Sequence, residues 1–170
     1  MTDKNQAILN FLIDCPAIQD NPVYFNFLTA KDGSSQIVTS TNDTAIDRKY
    51  VDGSVLRQFT FSLVTFMSIS DNEIIFPDEA TNPITSDSVT LSNENVEDMA
   101  TMQGIIDWVN EQNDNANYPD FGSNAIIDEM EVTTTTPRFD GVNTEVTPML
   151  AIYSIAIRIS YIDTTKVIWS

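Results

Sequence analysis

The chain has 170 residues, with 25 Asp and Glu against 8 Lys and Arg, a formal net charge of −17 and no histidine. The acidic balance argues against wrapping of nucleic acid, because duplex binding draws its affinity from Lys and Arg that neutralise phosphates. The absence of histidine excludes imidazole metal sites and the Ser-His and Cys-His nucleophile pairs. A hydrophobic share of 42% predicts a folded chain.

The first predicted element is a short amphipathic helix over residues 3–14. Its apolar side chains recur at the 3.6-residue period of one helix face: Ile8, Phe11, Leu12 and Cys15. Pro16 ends the pattern, and Cys15, the single cysteine, is predicted to be a buried core residue. The run is too short and too interrupted for a signal peptide or a membrane span, so we expect folding in the cytoplasm.

Three strands are predicted next, over residues 23–28, 35–39 and 55–69. Asp32-Gly33 favours a turn between the first two. The third strand alternates strictly, and its predicted dry face consists of Phe59, Phe61, Leu63, Thr65 and Met67. Its last third is apolar on both faces, which indicates cover by a helix or by another subunit.

A second helix is predicted over residues 93–112, with Ser92 or Asn93 as its cap and acidic residues in its first turns. Its apolar stripe consists of Val96, Met99, Met102 and Ile106, widened by Ile105, Trp108 and Val109. Gly104 inside this helix costs about 1 kcal/mol relative to Ala, which favours a close packing contact at that point.

Two further strands are predicted over residues 125–136 and 149–162, after a loop at 113–122. In the first of them, one face is predicted to carry Ile127, Glu129, Glu131 and Thr133, and the other Ile126, Met130 and Val132. In the second, one face carries Tyr153, Ile155, Ile157, Ile159 and Tyr161. The order α-β-β-β-α-β-β predicts an α+β fold, a mostly antiparallel sheet with helices packed on one face.

This length predicts a single domain over residues 1–170, interrupted by long polar loops at about 40–53 and 71–92. The first of these loops is too long for an ordinary connection in a compact domain. We therefore expect it to serve in assembly or to be ordered by neighbouring molecules.

Two acidic clusters are candidates for chemistry. The loop at 113–122 offers Asp and Asn oxygens, but Pro119 intervenes, Gly122 comes late and the closing Glu of a calcium loop is missing. Glu129 and Glu131 share a predicted strand face, yet nothing indicates the sugar-sized cleft that a glycosidase needs. There is no Gly-rich phosphate loop and no nucleophile elbow. We therefore expect no enzymatic activity, no cofactor and no metal.

One stretch of the chain resembles a known protein family. It reads Arg48-Lys-Tyr-Val-Asp-Gly-Ser-Val-Leu-Arg-Gln-Phe-Thr-Phe61. The family consists of small proteins from the late structural operons of siphophages that infect Gram-positive bacteria, often labelled minor capsid proteins. Residues 24–28, 105–112 and 131–140 fit the same family in order, so the resemblance covers most of the chain. Pro137-Arg138 and an insertion-like segment at 70–92 depart from its pattern.

The resemblance implies a tail terminator in the virion, at the head-proximal end of the tail. Such proteins form a homo-oligomeric ring, usually a hexamer, that caps the tail tube and stops its polymerisation. The implied partners are the tail tube protein below and the head–tail connector or neck proteins above, while DNA passes through without specific binding. We expect sheet edges of neighbouring subunits to pack side by side around the channel, with residues 40–53 and 71–92 reaching axial neighbours.

The candidate contact residues are Arg48, Lys49, Tyr50, Asp52, Gly53, Arg57 and Arg138. Arg48 and Arg57 are scarce positive charges, and each either pairs across an interface or satisfies a local carboxylate. Gly53 supplies a backbone angle that other residues resist, at the start of the long strand. Glu129 and Glu131 are candidates for acids that face the channel and repel DNA.

Three alternatives stay open at this point. The first is another neck or head–tail completion protein, or a tail tube subunit, which would stack into long tubes. The second is a binding module unrelated to phage, which would be a stable monomer. The third is a histidine-free hydrolase that uses Asp or Glu.

Overall fold

A computed structural model describes residues 3–19, 23–25, 34–39, 46–68, 93–147 and 149–165. The described helices are α1 (Lys4–Leu12) and α2 (Asn93–Asp114). The described strands are β1 (Val23–Phe25), β2 (Ser35–Thr39), β3 (Ile46–Lys49), β4 (Val55–Ser68), β5 (Ala125–Val132), β6 (Arg138–Asn143) and β7 (Leu150–Asp163). All seven strands belong to one sheet, so the predicted α+β fold class is confirmed.

The two longest strands, β4 and β7, form the centre of the sheet. They pair antiparallel over all 14 positions, from Val55 opposite Asp163 to Ser68 opposite Leu150. Successive side chains of a strand point to opposite faces. Burial follows the odd-numbered positions of both strands, with Leu63, Ile155 and Ile157 fully buried. The predicted faces of these two strands are therefore confirmed.

Shorter strands flank the central pair on both sides. β2 and β3 pair with opposite ends of β4, and β5 and β6 pair with opposite ends of β7, all antiparallel. β1 adds to β2 in parallel, and it is the one parallel pairing among the described strands. The sheet is therefore mostly antiparallel, as predicted, with β1 at one edge and β5 and β6 at the other.

Both helices contribute to the core on the odd-numbered face of the sheet. The buried helix residues are Ala7, Ile8, Leu12, Met102, Ile105, Ile106 and Val109. Asp3 caps α1 by accepting the Asn5 backbone N–H at 3.0 Å. Cys15 is buried as predicted, and burial raises the pKa of its thiol.

The second helix differs from its prediction in two respects. It extends to Asp114, two residues beyond the predicted end. Met99, predicted to lie on the buried stripe, is 39% exposed. The side chain of Val96 and the predicted caps lie outside the described part of the structure.

The prediction of an irregular excursion at 40–53 is wrong for its second half. Residues 46–49 form β3, and the residues after it form a tight turn into β4. This strand has only four residues, Ile-Asp-Arg-Lys, so no alternation announces it and pairing with β4 provides its stability. Residues 40–45 and 71–92 and the predicted Asp32-Gly33 turn lie outside the described residues.

The end predicted for the strand at 125–136 is also wrong. β5 ends at Val132, and a separate strand, β6, starts at Arg138 and continues along β7. Between them the Thr133 backbone N–H still donates to the Ala156 carbonyl at 2.8 Å. The two strands therefore form one interrupted run along the edge of β7.

A β-bulge swaps the faces predicted for Ile126 and Ile127, whereas the predicted placement of Glu129 and Glu131 opposite Met130 and Val132 is confirmed. The register shifts between Ile127 and Glu129, which leaves Asp128 as the extra residue. Ile126 therefore shares a face with Glu129 and Glu131, whereas Ile127 shares the opposite face with buried Met130. One inserted residue moves all subsequent side chains to the other face, and no periodicity in the sequence marks it.

We predict that Gly104→Ala stabilises the protein. A Cβ at this position would lie 3.9 Å from the Cβ of Ala17, an ordinary van der Waals distance, so the close contact predicted for Gly104 is absent. Alanine in a helix interior loses less backbone entropy than glycine, and we expect the free energy of unfolding to rise by about 0.5–1 kcal/mol. Urea denaturation followed by circular dichroism measures this change, and a loss of stability would contradict it.

Candidate interaction surfaces

The turn between β3 and β4 carries most of the candidate contact residues. The Gly53 backbone N–H donates to the Tyr50 carbonyl at 3.1 Å, and the Tyr50 N–H donates to the Ser54 carbonyl at 2.9 Å. This pattern matches a type I turn followed by a glycine bulge, which is common in three-residue hairpin loops. Gly53 has a φ of +87°, so the predicted need for glycine at this position is confirmed.

Asp52 fixes the shape of this turn from within. Its Oδ1 atom accepts the Ser54 backbone N–H at 2.9 Å and the Ser54 hydroxyl at 2.6 Å. An aspartate that bonds the backbone two residues later stabilises a turn locally. The Asp52-Gly53-Ser54 part of the motif therefore has a structural role, which is to hold the turn in one conformation.

The exposed side chains of the turn and of the end of β3 are apolar and basic. We call Arg48, Lys49, Tyr50 and Val51 the hairpin tip. Val51 is fully exposed and Tyr50 is 38% exposed, and both cations are exposed as well. A rigid turn that projects large apolar side chains into solvent is typical of a contact surface.

Arg57 lies away from the hairpin tip, on the odd-numbered face of β4. Its Nε atom is 2.9 Å from Oδ2 of Asp163, and both side chains are about three-quarters buried. Partial burial raises the pKa of the Asp163 carboxyl, but hydrogen bonds from Thr165 and Arg57 outweigh it and hold the pKa below its ordinary value. Of the two roles open to Arg57, the structure therefore contains the local ion pair. An interface role stays a prediction.

Arg138 and the two candidate channel acids lie along the β5–β6 edge. Arg138 is 2.7 Å from Asp140 of the same strand, with three-quarters of its side chain exposed. Glu131 forms an ion pair with Arg158 of β7, whereas Glu129 is exposed. Both acids lie on the even-numbered face of β7, opposite the side that the helices cover. Their place in a channel stays a prediction.

The centre of the even-numbered face of β4 and β7 carries mostly small or polar side chains. These are Gln58, Thr60, Ser62, Val64, Ser154, Ala156, Arg158 and Ser160. Apolar residues lie at both ends, among them Leu56 opposite Ile162 and Phe66 opposite Ile152. Neither α1 nor α2 packs on this face. Phe66 is nevertheless only 6% exposed. The predicted cover by a helix is not seen among the described residues, and cover by another subunit stays a prediction.

A groove opens between α1, the end of α2 and the loop at 117–120. Its volume is about 560 Å³. Its walls carry three half-buried rings and three exposed carboxylates, namely Phe11, Trp108, Tyr118, Asp3, Asp14 and Asp120. We call it the acidic groove. Sequence reasoning missed it, because its walls come from three segments that only the fold brings together.

Aromatic packing holds the walls of the acidic groove in place. The rings of Phe11 and Trp108 lie 4.9 Å apart and join the two helices. Phe121 is buried edge-on against Tyr161 at 5.5 Å and Phe59 at 5.8 Å, which anchors the loop. The groove is thus formed by packed elements and does not require a ligand to order it.

The described residues offer no metal centre: no group of three or more Cys, Asp or Glu side chains among them could hold an ion. Within the same part of the chain, no helix has the length and apolar character needed to cross a membrane. Comparison with protein-family models, characterised proteins and solved structures gave no match. Function is therefore inferred from the surfaces of the chain itself and from the motif at residues 48–61.

We predict that Arg57 and Asp163 stabilise the fold in part through their local ion pair. A double-mutant cycle with Arg57→Ala and Asp163→Asn should give a coupling of about 0.2–1 kcal/mol at pH 7. Because the folded-state pKa of Asp163 is lowered, this stability is present above the unfolded value and is lost as the pH falls below about 4. Thermal denaturation of the four proteins measures the coupling; no coupling at pH 7 would contradict the local role.

We predict that Gly53→Ala destabilises the protein by about 1–2 kcal/mol, because alanine resists the φ of +87°. A Cβ at this position meets no atom within 4 Å, so the loss comes from the backbone and not from a clash. Gly104→Ala is the matched control with the opposite expected sign. Equal effects of the two substitutions in urea denaturation would contradict this account of the turn.

Proposed function

We propose that this protein is a non-enzymatic virion protein, a tail terminator that forms a ring at the head-proximal end of a phage tail. The observation that carries the proposal is the motif at residues 48–61. In the structure this motif is one continuous unit, the end of β3, the hairpin tip and the first half of β4. The most specific part of the resemblance thus contains the fully exposed Val51.

A closed ring requires two different complementary surfaces on each subunit, because head-to-tail contacts join unlike faces. The chain offers several distinct surfaces. They are the basic hairpin tip, the acidic groove, the two sheet edges and the even-numbered sheet face. This variety supports a head-to-tail assembly, with sheet edges of neighbouring subunits side by side around the channel.

The net charge of −17 supports a role next to DNA that must pass without binding. In this proposal the even-numbered sheet face lines the channel, where small side chains and the exposed Glu129 do not attract phosphates. The arginines of this face, Arg138 and Arg158, are paired with Asp140 and Glu131. Glu131 contributes less negative charge, because Arg158 partly compensates it. A map of the ring with Glu129 on the outer rim would sink this part of the proposal.

The proposal assigns the tail tube protein and the head–tail connector as axial partners. Of the loops expected to reach them, residues 46–53 are now described as a hairpin, and residues 71–92 lie outside the described part. The ring itself needs no cofactor and no membrane in this proposal. Its effect on the tube is steric, since a subunit that ends the stack offers no surface for the next tube ring.

The test is the assembly state of the purified protein and its effect on tube growth. We expect single rings of one mass, usually six subunits, in native mass spectrometry and negative-stain electron microscopy. Added to polymerising tail tube protein, the rings should shorten the tubes in proportion to their concentration. Long stacks of rings would indicate a tube subunit instead, and a monomer at every concentration would indicate a binding module.

A further inference from the structure

The hairpin tip and the acidic groove are complementary in charge and in apolar character. The tip places two of the eight basic residues of the chain, Arg48 and Lys49, beside the exposed side chains of Tyr50 and Val51. The groove combines three exposed carboxylates with the rings of Phe11, Trp108 and Tyr118. Guanidinium and ammonium groups are attracted both to carboxylates and to ring faces.

The carboxylates of the groove can accept further hydrogen bonds, because local hydrogen bonds occupy only one oxygen of Asp3 and one of Asp120. Asp120 uses one oxygen, Oδ1, for the Gly122 backbone N–H at 2.8 Å. Asp3 likewise uses Oδ1 for the Asn5 N–H at 3.0 Å. A carboxylate has two oxygens and about four acceptor positions, so each can still bind a cation. Asp14 is exposed just beyond the end of α1.

The tip does not occupy the groove of its own chain. Val51 is fully exposed, so its side chain rests on no other part of the described structure. The turn is held by Asp52 and Gly53, so docking requires little ordering of the backbone, and this lowers the entropic cost of binding. The hairpin tip and the acidic groove are both preformed, and they do not meet within one chain. They are therefore suited to a contact between two copies of the chain.

We infer that the hairpin tip of one subunit binds in the acidic groove of the next copy of this chain. The inference rests on the proposed function, because a contact between unlike surfaces repeats from subunit to subunit and closes a ring. Val51 and Tyr50 enter between the aromatic walls, and Arg48 and Lys49 face Asp14 and Asp120. The groove volume of about 560 Å³ lies within the roughly 300–1,000 Å³ typical of sites that enclose a few side chains or a small ligand.

A contact of this size is weak for a single pair of subunits. Stable interfaces bury about 1,200–2,000 Å² in total, more than one turn and one groove provide. Ring closure makes the last contact intramolecular and raises the stability of the whole without new surfaces. Because exposed charges contribute to each contact, assembly should weaken as salt is raised.

The decisive experiment reverses the charges on one surface at a time. The tip variant is Arg48→Glu with Lys49→Glu, and the groove variant is Asp14→Lys with Asp120→Lys. Both variants change exposed residues, and circular dichroism with thermal denaturation checks their folding. The matched control, Asp107→Lys with Glu145→Lys, changes two exposed acids outside the tip, the groove and the strands by the same charge as the groove variant. Native mass spectrometry reports the assembly state.

We expect the wild type and the control to form rings and each charge-reversal variant alone to be a monomer. An equimolar mixture of the two variants should form rings in which the variants alternate, because the unchanged tip meets the unchanged groove and the reversed tip meets the reversed groove. A chain that carries all four reversals should form rings again. A mixture that stays monomeric, or a tip or groove variant that still forms rings, would overturn the contact while the ring proposal stands.

A second measurement is independent of charge and of those variants. Val51→Cys and Asn10→Cys in one chain place a thiol on the tip and one in the groove, both at exposed positions. A short bismaleimide should link subunits into a ladder that ends at the ring, whereas either single variant should give none. Buried Cys15 serves as the unreactive background. A wild type that is monomeric at all concentrations, together with a double-cysteine variant that gives no ladder, would overturn both the contact and the ring.

Discussion

The antiparallel pairing of β4 with β7 is the constraint on which the rest of the structure depends. It runs without interruption over 14 positions and puts the apolar side chains of both strands on one face. Two helices cover that face, and short strands extend the sheet from each outer edge. The surfaces left for contact with other molecules are the opposite face, the sheet edges and the hairpin that leads into β4.

The parts of the fold that sequence reasoning predicted are those with a long internal period. The alternation in β4 and β7 and the apolar stripe of α1 identify these elements without tertiary information. β3 and β6 were missed because both are short and polar, and pairing with a long neighbour stabilises them. The bulge at Asp128 adds one residue that no pattern marks, and it reversed the faces of the first residues of β5.

Among the candidate surfaces, too, local features were predictable and contacts between distant segments were not. Gly53 was predictable, because the turn before a long strand commonly needs a positive φ. The local partner of Arg57 was not, since Asp163 lies 106 positions later and meets it only through the sheet. The acidic groove was missed for the same reason, as its walls come from residues 3–14, 108–112 and 117–120. Its one early sign was an aromatic residue on each helix, Phe11 and Trp108.

The interrupted run of β5 and β6 has a consequence for aggregation. Residues 125–143 run along residues 150–163, so the edge segment is longer than the strand with which it pairs. Its pairing register shifts twice, once in β5 and once in β6. An uneven edge is a poor template for another flat strand, which guards against fibres and amorphous aggregates. The chain can therefore leave Phe139 and Val142 exposed at this edge without offering a flat strand for backbone pairing.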